Sequence, residues 1–291
     1  MSDKPTDPGD VDANPVDPNP VDPNPINKAY ENLTFLRSRD ARILRILSEY
    51  LEPQARLRRR RIRNAIVFFG SSRTLPLEEA KERYGAVASG RQSGVSKAEM
   101  RYAQRQIRLA AYYEDARELA RRLTTWARET GHDNDLVVCS GGGPGMMEAA
   151  NRGAAEAGGQ SVGLAISLPH EPEPNPYITP GLAVEFHYFF MRKFWFMYLA
   201  RALVVFPGGY GTMDEMFEVL TLLQTRKVQR PVQVIVYGRE YWDDVVDFKK
   251  LVEWGAITAA DLELVHMVDD VEEAFALLTR TIQSSRGRRR A

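Results

Sequence analysis

Residues 203–218 read LVVFPGGYGTMDEMFE, an apolar run that passes through a glycine-rich turn into a helix-forming segment. The first four residues, Leu203–Phe206, have the continuous apolar character of a fully buried strand. Proline and three glycines then require a tight turn. We predict that Thr212 is the N-cap of the following helix and that Asp214 and Glu215 lie in its first turn.

A strand that enters a helix through such a turn presents backbone N–H groups and the positive end of the helix dipole. Together these form an anion site that phosphate commonly occupies. Glu215 stands out there, because a carboxylate repels phosphate. It is either an ordinary acid that complements the helix dipole, or a group that faces a sugar and takes part in chemistry.

Apolar runs of strand length recur along the chain and alternate with helix-forming segments. The predicted strands are 65–69, 136–139, 161–168, 184–187, 203–206, 232–237 and 262–267. The predicted helical segments are 27–52, 76–130, 146–157, 189–200, one that ends near 225, 241–253 and one from 271. Because the strands are apolar throughout, we predict an α/β fold. It is a Rossmann-like, doubly wound parallel sheet with helices on both faces, preceded by extra N-terminal helices.

Three glycine- or serine-rich turns follow predicted strands, and a sheet of this class binds ligands beyond the carboxyl ends of its strands. Their residues of interest are Gly70, Ser71 and Ser72; Gly141, Gly142 and Gly143; and Gly208, Gly209, Gly211 and Thr212. Three such turns in one sheet predict a nucleotide-sized ligand. None matches the P-loop or the G-x-G-x-x-G fingerprint, which argues against a P-loop NTPase and a dinucleotide-dependent oxidoreductase.

Residues 189–197, FFMRKFWFM, are apolar or aromatic except at Arg192 and Lys193. A helix that is apolar all round is predicted to be buried, and a buried cation needs an anionic partner. Arg192 and Lys193 therefore form either a structural salt bridge or contacts with the phosphate or sugar of a ligand. Glu215 is the expected neighbour of Arg192 in both cases.

The composition limits what the protein binds and where it acts. The 291 residues carry 39 basic and 39 acidic side chains, so bulk electrostatics argue against nucleic-acid binding. A single cysteine, Cys139, fits a reducing compartment, and we expect a cytoplasmic protein. The sequence contains no Cys/His cluster, so a metal site is not expected. The sequence has neither a signal-peptide pattern nor an uninterrupted apolar span, so no membrane association is expected.

Four segments are predicted along the chain. Residues 1–26 are a Pro/Asp-rich tail with VDPNP repeats, predicted to be disordered. Residues 27–64 form a helical extension that ends in the basic run 56–63, and residues 65–285 form the Rossmann-like nucleotide-binding catalytic domain. Residues 286–291 are a basic tail. The basic run is interpreted as a solvated or subunit-facing helix end, with a polyanion site as the alternative.

Taken together, the pair Arg192-Lys193 and the later PGGYGTMDE, residues 207–215, resemble the signature of the Lonely Guy (LOG) family of phosphoribohydrolases. The resemblance covers about residues 65–282. Members of that family cleave the N-glycosidic bond of a nucleoside 5′-monophosphate, a cytokinin nucleotide or AMP, to the free base and ribose 5-phosphate. The family has often been labelled lysine decarboxylase. No residue pattern here points to a pyridoxal phosphate site, and no cofactor is expected.

The resemblance also implies roles for individual residues. Arg192 and Glu215 would be the catalytic pair, Lys193 would help to bind the substrate, and the PGGYGT turn would hold the 5′-phosphate. Thr221, six residues after Glu215, matches a substrate-contacting threonine. Glu171 resembles a glutamate near the base or the ribose.

This chain departs from compact members of the family before residue 65 and in a lengthened helical region between residues 72 and 112. These departures leave the preferred base and the assembly open. The resemblance implies a homo-oligomer, a dimer or larger, with the helix after Phe189 near the interface. A non-catalytic nucleotide-binding or carrier protein on the same fold is the alternative function.

Overall fold

The computed structural model describes residues 28–89, 96–132, 135–168 and 173–290, with residues 285–290 described by their backbone only. The chain divides into two compact units, residues 1–55 and residues 56–291. The predicted site residue Glu171 and the whole of the predicted disordered tail, residues 1–26, lie outside the described residues.

The α-helices of the described chain are α1 (Leu33–Arg37), α2 (Arg42–Arg59), α3 (Leu77–Ala88), α4 (Lys97–Glu129), α5 (Met146–Glu156), α6 (Phe189–Leu199), α7 (Tyr210–Gln224), α8 (Arg239–Val245), α9 (Phe248–Glu253) and α10 (Val271–Arg290). Two 3-10 helices cover Ala29–Glu31 and Ala259–Leu264. Among these helices, none combines the length and the apolar character needed to cross a bilayer.

In the smaller unit, a side-chain cap starts α1 and an arginine holds its end. The Asn32 side chain accepts a hydrogen bond from the backbone N–H of Phe35 at 2.9 Å. Arg45, on α2, donates to the carbonyl oxygen of Leu36 at 2.9 Å and to that of Ser38 at 2.5 Å. The extra N-terminal helices predicted from the sequence are therefore present.

In the larger unit, the described strands form one sheet in the order β4-β3-β2-β1-β5-β6-β7. They are β1 (Asn64–Phe69), β2 (Leu136–Ser140), β3 (Ser161–Ile166), β4 (Ala183–Phe186), β5 (Ala200–Val205), β6 (Gln233–Tyr237) and β7 (Val265–Val268). Every pairing is parallel, which confirms the predicted α/β class. The strand order reverses between β1 and β5, and a crevice for ligands forms at such a switch point.

Both faces of the sheet carry helices. Ile66 and Phe68 of β1 belong to a buried cluster with Tyr113 and Leu119 of α4, which also includes residues of α5 and α10. Phe69, which points to the opposite face, packs the edge of its ring against Phe196 of α6, with ring centroids 4.9 Å apart. The apolar character of the strands follows from this double burial.

Several predicted elements differ from the observed ones. The helical segment predicted for 27–52 contains both α1 and α2, and α2 continues to Arg59. The long helical segment after Pro76 is two helices, and a capping box between Ser96 and Glu99 starts the second. The helix predicted for 241–253 is divided, because the Asp247 side chain caps a new helix, α9. The last strand begins at Val265 rather than at Leu262, since a 3-10 helix occupies the residues before it.

Helix α4 extends well past the sheet. Its 33 residues span about 50 Å at 1.5 Å per residue, whereas a six-residue strand spans about 20 Å. The ring of Tyr112 lies against Gly238, directly after β6. The part of α4 before Tyr112 therefore projects beyond the carboxyl edge of the sheet, the edge at which the glycine turns lie.

Candidate active site

The three predicted turns meet at the carboxyl edge of the sheet. The backbone N–H of Ser71 donates to the carbonyl oxygen of Pro207 at 3.0 Å, which joins the turn after β1 to the turn after β5. The N–H of Met146 donates to the carbonyl oxygen of Ser71 at 3.1 Å, which adds the turn after β2. Gly145 has a φ of +70°, and a Cβ there would collide with the backbone of Ser71 and Ser72. Only glycine permits this approach.

Helix α7 begins three residues earlier than expected and without a side-chain cap. Its N-cap is Gly209, and no side chain of the described residues accepts from its first-turn N–H groups. The prediction that Thr212 is the N-cap is therefore wrong. Thr212 lies inside the helix and packs against Gly208, where a Cβ would collide with the threonine side chain. Glu215 is consequently in the second turn, away from the position at which acids complement the helix dipole.

Open space lies over the start of α7. A Cβ built on Gly209 or on Gly211 would have no neighbour within 4 Å among the residues that the structure describes. The N–H groups of a helix N-terminus attract anions, and these two glycines leave room for one to approach the backbone. The turn of residues 208–212 is called the cradle below.

The second turn is held by a buried polar network. The N–H of Gly142 donates to Ser140 Oγ at 3.0 Å, so this N–H is satisfied within the protein. The Nδ2 of Asn175 lies 3.0 Å from the carbonyl oxygens of Gly142 and Gly143 and from Oδ1 of Asn151. Cβ atoms on Gly141 and Gly143 would press against the side chain of Met147. Much of the second turn is thus engaged in packing and internal hydrogen bonds.

Arg192 and Glu215 meet where α6 and α7 approach each other. Nη2 of Arg192 lies 3.4 Å from Oε1 of Glu215, and their side chains are 15% and 7% exposed. Burial raises the pKa of Glu215 to about 7, against the opposing effects of the Arg192 and Lys193 charges. The guanidinium carbon of Arg192 also lies 4.9 Å from the ring centroid of Phe189 and 5.8 Å from that of Phe196. The arrangement holds a carboxyl group that can be either neutral or ionised near neutral pH.

Lys193 joins the two helices. Its Nζ lies 2.7 Å from Oδ2 of Asp214 and 2.7 Å from Oε2 of Glu218, two carboxylates one turn apart on α7. Burial lowers the pKa of Lys193, but the hydrogen bonds to Asp214 and Glu218 outweigh it and leave the pKa raised. Lys193 is therefore a cation that fixes α6 against α7 and so fixes the spacing of Arg192 and Glu215.

Comparisons with known proteins identify the family of the chain. The family model described as "possible lysine decarboxylase" matches residues 147–278. A cytokinin riboside 5′-monophosphate phosphoribohydrolase from Rhodococcoides fascians is 30% identical over 144 residues, which are 49% of this chain and 72% of that protein. The chain belongs to the Lonely Guy family.

Other relatives of this LOG-family chain carry related names. A probable cytokinin riboside 5′-monophosphate phosphoribohydrolase from rice is 32% identical over 48% of this chain and 53% of its own length. A pyrimidine/purine nucleotide 5′-monophosphate nucleosidase of Escherichia coli K12 is 30% identical over 34% of this chain and 24% of its own length. Another probable cytokinin riboside 5′-monophosphate phosphoribohydrolase from rice is 29% identical over 49% of this chain and 62% of its own length. The chain thus spans less than two thirds of the length of these two rice proteins.

Solved structures are similar only in outline. A molybdenum cofactor binding protein from Rippkaea orientalis has 15% identity and a TM-score of 0.44, over 76% of this chain and 96% of that one. A molybdenum cofactor carrier protein from Chlamydomonas reinhardtii has 16% identity and a TM-score of 0.42, over 76% and 99%. Likenesses of this strength carry no inference about a ligand.

One residue named from the LOG resemblance, Thr221, lies apart from this group. Thr221 is exposed, and its hydroxyl donates to the carbonyl oxygen of Phe217 at 2.8 Å. Six residues of α-helix turn through about 600° at 3.6 residues per turn, so Thr221 lies about 120° around α7 from Glu215. Glu171 lies outside the described residues.

The first turn supports the site through its packing. A Cβ on Gly70 would collide with the side chain of Met146 and press on Phe206. The Ser71 side chain accepts from the N–H of Arg73 at 3.1 Å, and Ser72 is exposed. These contacts place Gly70 and Ser71 under the cradle, with Ser72 at the surface.

The composition of α6 predicted a helix that is buried on all sides. This prediction is wrong, because only one side of α6 is buried. Met191, Trp195, Phe196 and Leu199 face the protein. The opposite side exposes a stripe of large aromatic residues: Phe189, Phe190, Phe194 and Tyr198. The side chains of this aromatic stripe lie next to Arg192 and Lys193 along the helix.

Sequence reasoning missed Tyr241, whose hydroxyl donates to the carbonyl oxygen of Gly208 at 2.6 Å. It also missed Asn175. The available signal for Tyr241 was an aromatic residue in the helix that follows β6, the strand that pairs with β5. Across the described ranges, no group of three or more His, Cys, Asp or Glu side chains is arranged to hold a metal ion.

Proposed function

We propose that this LOG-family chain hydrolyses the N-glycosidic bond of a nucleoside 5′-monophosphate to the free base and ribose 5-phosphate. The observation that carries the proposal is the buried Arg192–Glu215 pair beside an uncapped helix N-terminus with open space over it. The names of the relatives point to the same reaction class. AMP and cytokinin nucleotides are the proposed substrates.

The cradle would bind the 5′-phosphate. Within the described part of the chain, the first-turn N–H groups of α7 lack a side-chain acceptor. A phosphate oxygen would supply one and would interact favourably with the helix dipole. This contact is remote from the bond that breaks. It supplies binding energy that orients the ribose over Glu215, so a nucleoside without phosphate should react much more slowly.

Glu215 would act at the anomeric carbon. Departure of the base leaves positive charge on C1′ and the ring oxygen, and a carboxylate beside it stabilises that charge and orients water. The bond from C1′ to the base nitrogen breaks, an oxygen of water bonds to C1′, and a proton from the water goes to the departing base. Arg192 favours the ionised form of Glu215, although burial still leaves the pKa of this carboxyl at about 7, and it would contact the substrate.

We also propose a homo-oligomer, because the aromatic stripe of α6 leaves large apolar side chains exposed in one chain. The proposed setting is the cytoplasm, and neither a membrane nor a nucleic acid is proposed as a partner. Small nucleotides are the proposed ligands.

Release of base from AMP, followed by chromatography, tests the function. The wild type should release adenine, and Glu215→Gln should lose turnover by about 100-fold or more. Glu263→Gln, at an exposed position, is the control and should behave like the wild type. Absence of release from AMP, CMP, GMP and an isopentenyladenine nucleotide, with nucleotide still bound, would instead support the binding or carrier protein.

A further inference from the structure

Tyr241 contacts the cradle from the helix that follows the neighbouring strand. It lies on α8, which follows β6, while the cradle follows β5, and these two strands pair. Its hydroxyl donates to the carbonyl oxygen of Gly208 at 2.6 Å. Gly208 and Gly209 share the peptide unit that this hydrogen bond engages.

A trans peptide unit is planar, and its C=O and N–H point in opposite directions. A hydrogen bond that fixes the Gly208 carbonyl therefore also fixes the direction of the Gly209 N–H, away from Tyr241. Neither glycine has a Cβ to favour one orientation of this unit, so rotation is otherwise easy. A rotated unit would turn a carbonyl oxygen toward the anion site and repel phosphate.

Tyr241 is itself well supported. The ring of Trp242 packs edge-on against it with centroids 5.1 Å apart. Trp242 is fully buried and donates from Nε1 to the carbonyl oxygen of Tyr237 at 3.1 Å. The N–H of Arg239, at the start of α8, donates to Asp269 at 2.7 Å. The hydroxyl is thus held at a defined place over the glycine turn.

We propose that Tyr241 is a positioning residue that fixes the Gly208–Gly209 peptide in the orientation that binds the 5′-phosphate. It acts through the cradle and does not contact the reacting atoms. This inference rests on the proposed function, because it names what sets the affinity of the same site for phosphate.

The test compares Tyr241→Phe with the wild type on AMP and on adenosine. Loss of one neutral hydrogen bond should raise the KM for AMP about fivefold and leave kcat within about twofold. The slow hydrolysis of adenosine should be unchanged, since it lacks the phosphate. Tyr113→Phe is the control, because it removes a buried hydroxyl that donates to Glu148, not to the cradle; it should leave both KM values unchanged.

Binding of ribose 5-phosphate, measured by calorimetry, separates this inference from the proposed function. If the wild type binds it and Tyr241→Phe binds it about fivefold more weakly, the inference holds even if no nucleotide is hydrolysed. An unchanged affinity would overturn it, and so would a wild type that fails to bind ribose 5-phosphate. An equal loss of activity on AMP and adenosine would also overturn it, since that pattern indicates general damage to the site.

Discussion

Arg192 and Glu215 form a buried pair whose nearest nitrogen and oxygen lie 3.4 Å apart. A strong charge-assisted hydrogen bond has a length of about 2.8 Å, so this contact is longer than such a bond. The attraction is therefore too weak to offset the cost of burying the carboxylate, and the pKa of Glu215 rises to about 7. A carboxyl group whose pKa is about 7 is suited to a reaction near neutral pH.

The first prediction concerns the pH dependence of hydrolysis. If the carboxylate of Glu215 is the active form, kcat/KM for AMP rises as the pH increases through about 7, the pKa of this group. The Arg192 charge lowers that pKa, so Arg192→Gln should move the rising limb to higher pH. Arg192→Lys keeps the charge and should leave the limb near its wild-type position. The residual activity of each variant is measured across the pH range.

A limb at the same pH in Arg192→Gln and in the wild type would contradict the assignment of the titration to Glu215. The phosphate group of AMP titrates near pH 6, but this titration is common to all three proteins. The comparison between the variants therefore isolates the protein group.

The second prediction concerns stability. The pKa of Glu215 is raised from 4.5 to about 7 in the folded chain, so the folded state binds more protons than the unfolded state between these values. The contribution of Glu215 to the stability of the wild type must then fall as the pH rises from 4.5 to about 7. Glu215→Gln has no such titration, so its stability relative to the wild type should increase by on the order of 3 kcal/mol over that window.

Denaturant unfolding of the two proteins at several pH values measures this difference. A constant difference between pH 5 and pH 8 would mean that the carboxyl group titrates alike in the folded and unfolded chains. The burial of Glu215 would then have no electrostatic consequence.

The third prediction uses the glycines of the cradle. Gly211 and Gly85 both lie in helices, and a Cβ on either would have no neighbour within 4 Å. Alanine at either position should raise stability by about 0.5–1 kcal/mol through its higher helix propensity. Only Gly211→Ala should impair hydrolysis, because its methyl group occupies the space proposed for the phosphate.

Gly208→Ala should behave differently from both, because its Cβ would collide with Thr212, and it should lower the melting temperature. Thermal unfolding and the KM for AMP distinguish the three variants. A wild-type KM in Gly211→Ala would show that no ligand approaches this part of the backbone.

The sequence predicted the sheet well because its strands are buried on both faces. Leu203–Phe206 and the other apolar runs have no polar positions that would fit an exposed strand. The glycine turns follow these strands, so their common location at the carboxyl edge was also predictable. The helix boundary at Thr212 was not, because the rule for N-caps assumes a side-chain acceptor, and this helix starts at a glycine without one.

The supporting contacts of the site were beyond sequence reasoning for another reason. Tyr241 and Gly208 are 33 residues apart, as are Asn175 and Gly142. No local pattern links such pairs; they meet only because strand order brings particular loops together. The exposed aromatic stripe of α6 was missed for the opposite reason, since composition alone cannot distinguish burial within a chain from exposure at its surface.

The last prediction concerns the network behind the second turn. Asn175, Asn151 and Ser140 are all buried, and Ser140 Oγ donates to Asn151 Oδ1 at 2.7 Å. Asn175→Ala would leave the carbonyl oxygen of Gly143 without its side-chain donor, whereas that of Gly142 would still accept from the backbone N–H of residue 175, at 2.8 Å. An unsatisfied buried group costs about 1–3 kcal/mol, and the free energy of unfolding should fall by that amount.

Asn175→Asp is the matched variant, because it keeps the shape of the side chain and replaces the donor with an acceptor. At neutral pH its carboxylate would face the carbonyl oxygens of Gly142 and Gly143, so it should be at least as destabilising as Asn175→Ala. Protonation at low pH restores a donor, and part of the lost stability should return. Denaturant unfolding at pH 4 and pH 7 measures both effects. Wild-type stability in Asn175→Ala would mean that the turn after β2 keeps its shape without this network.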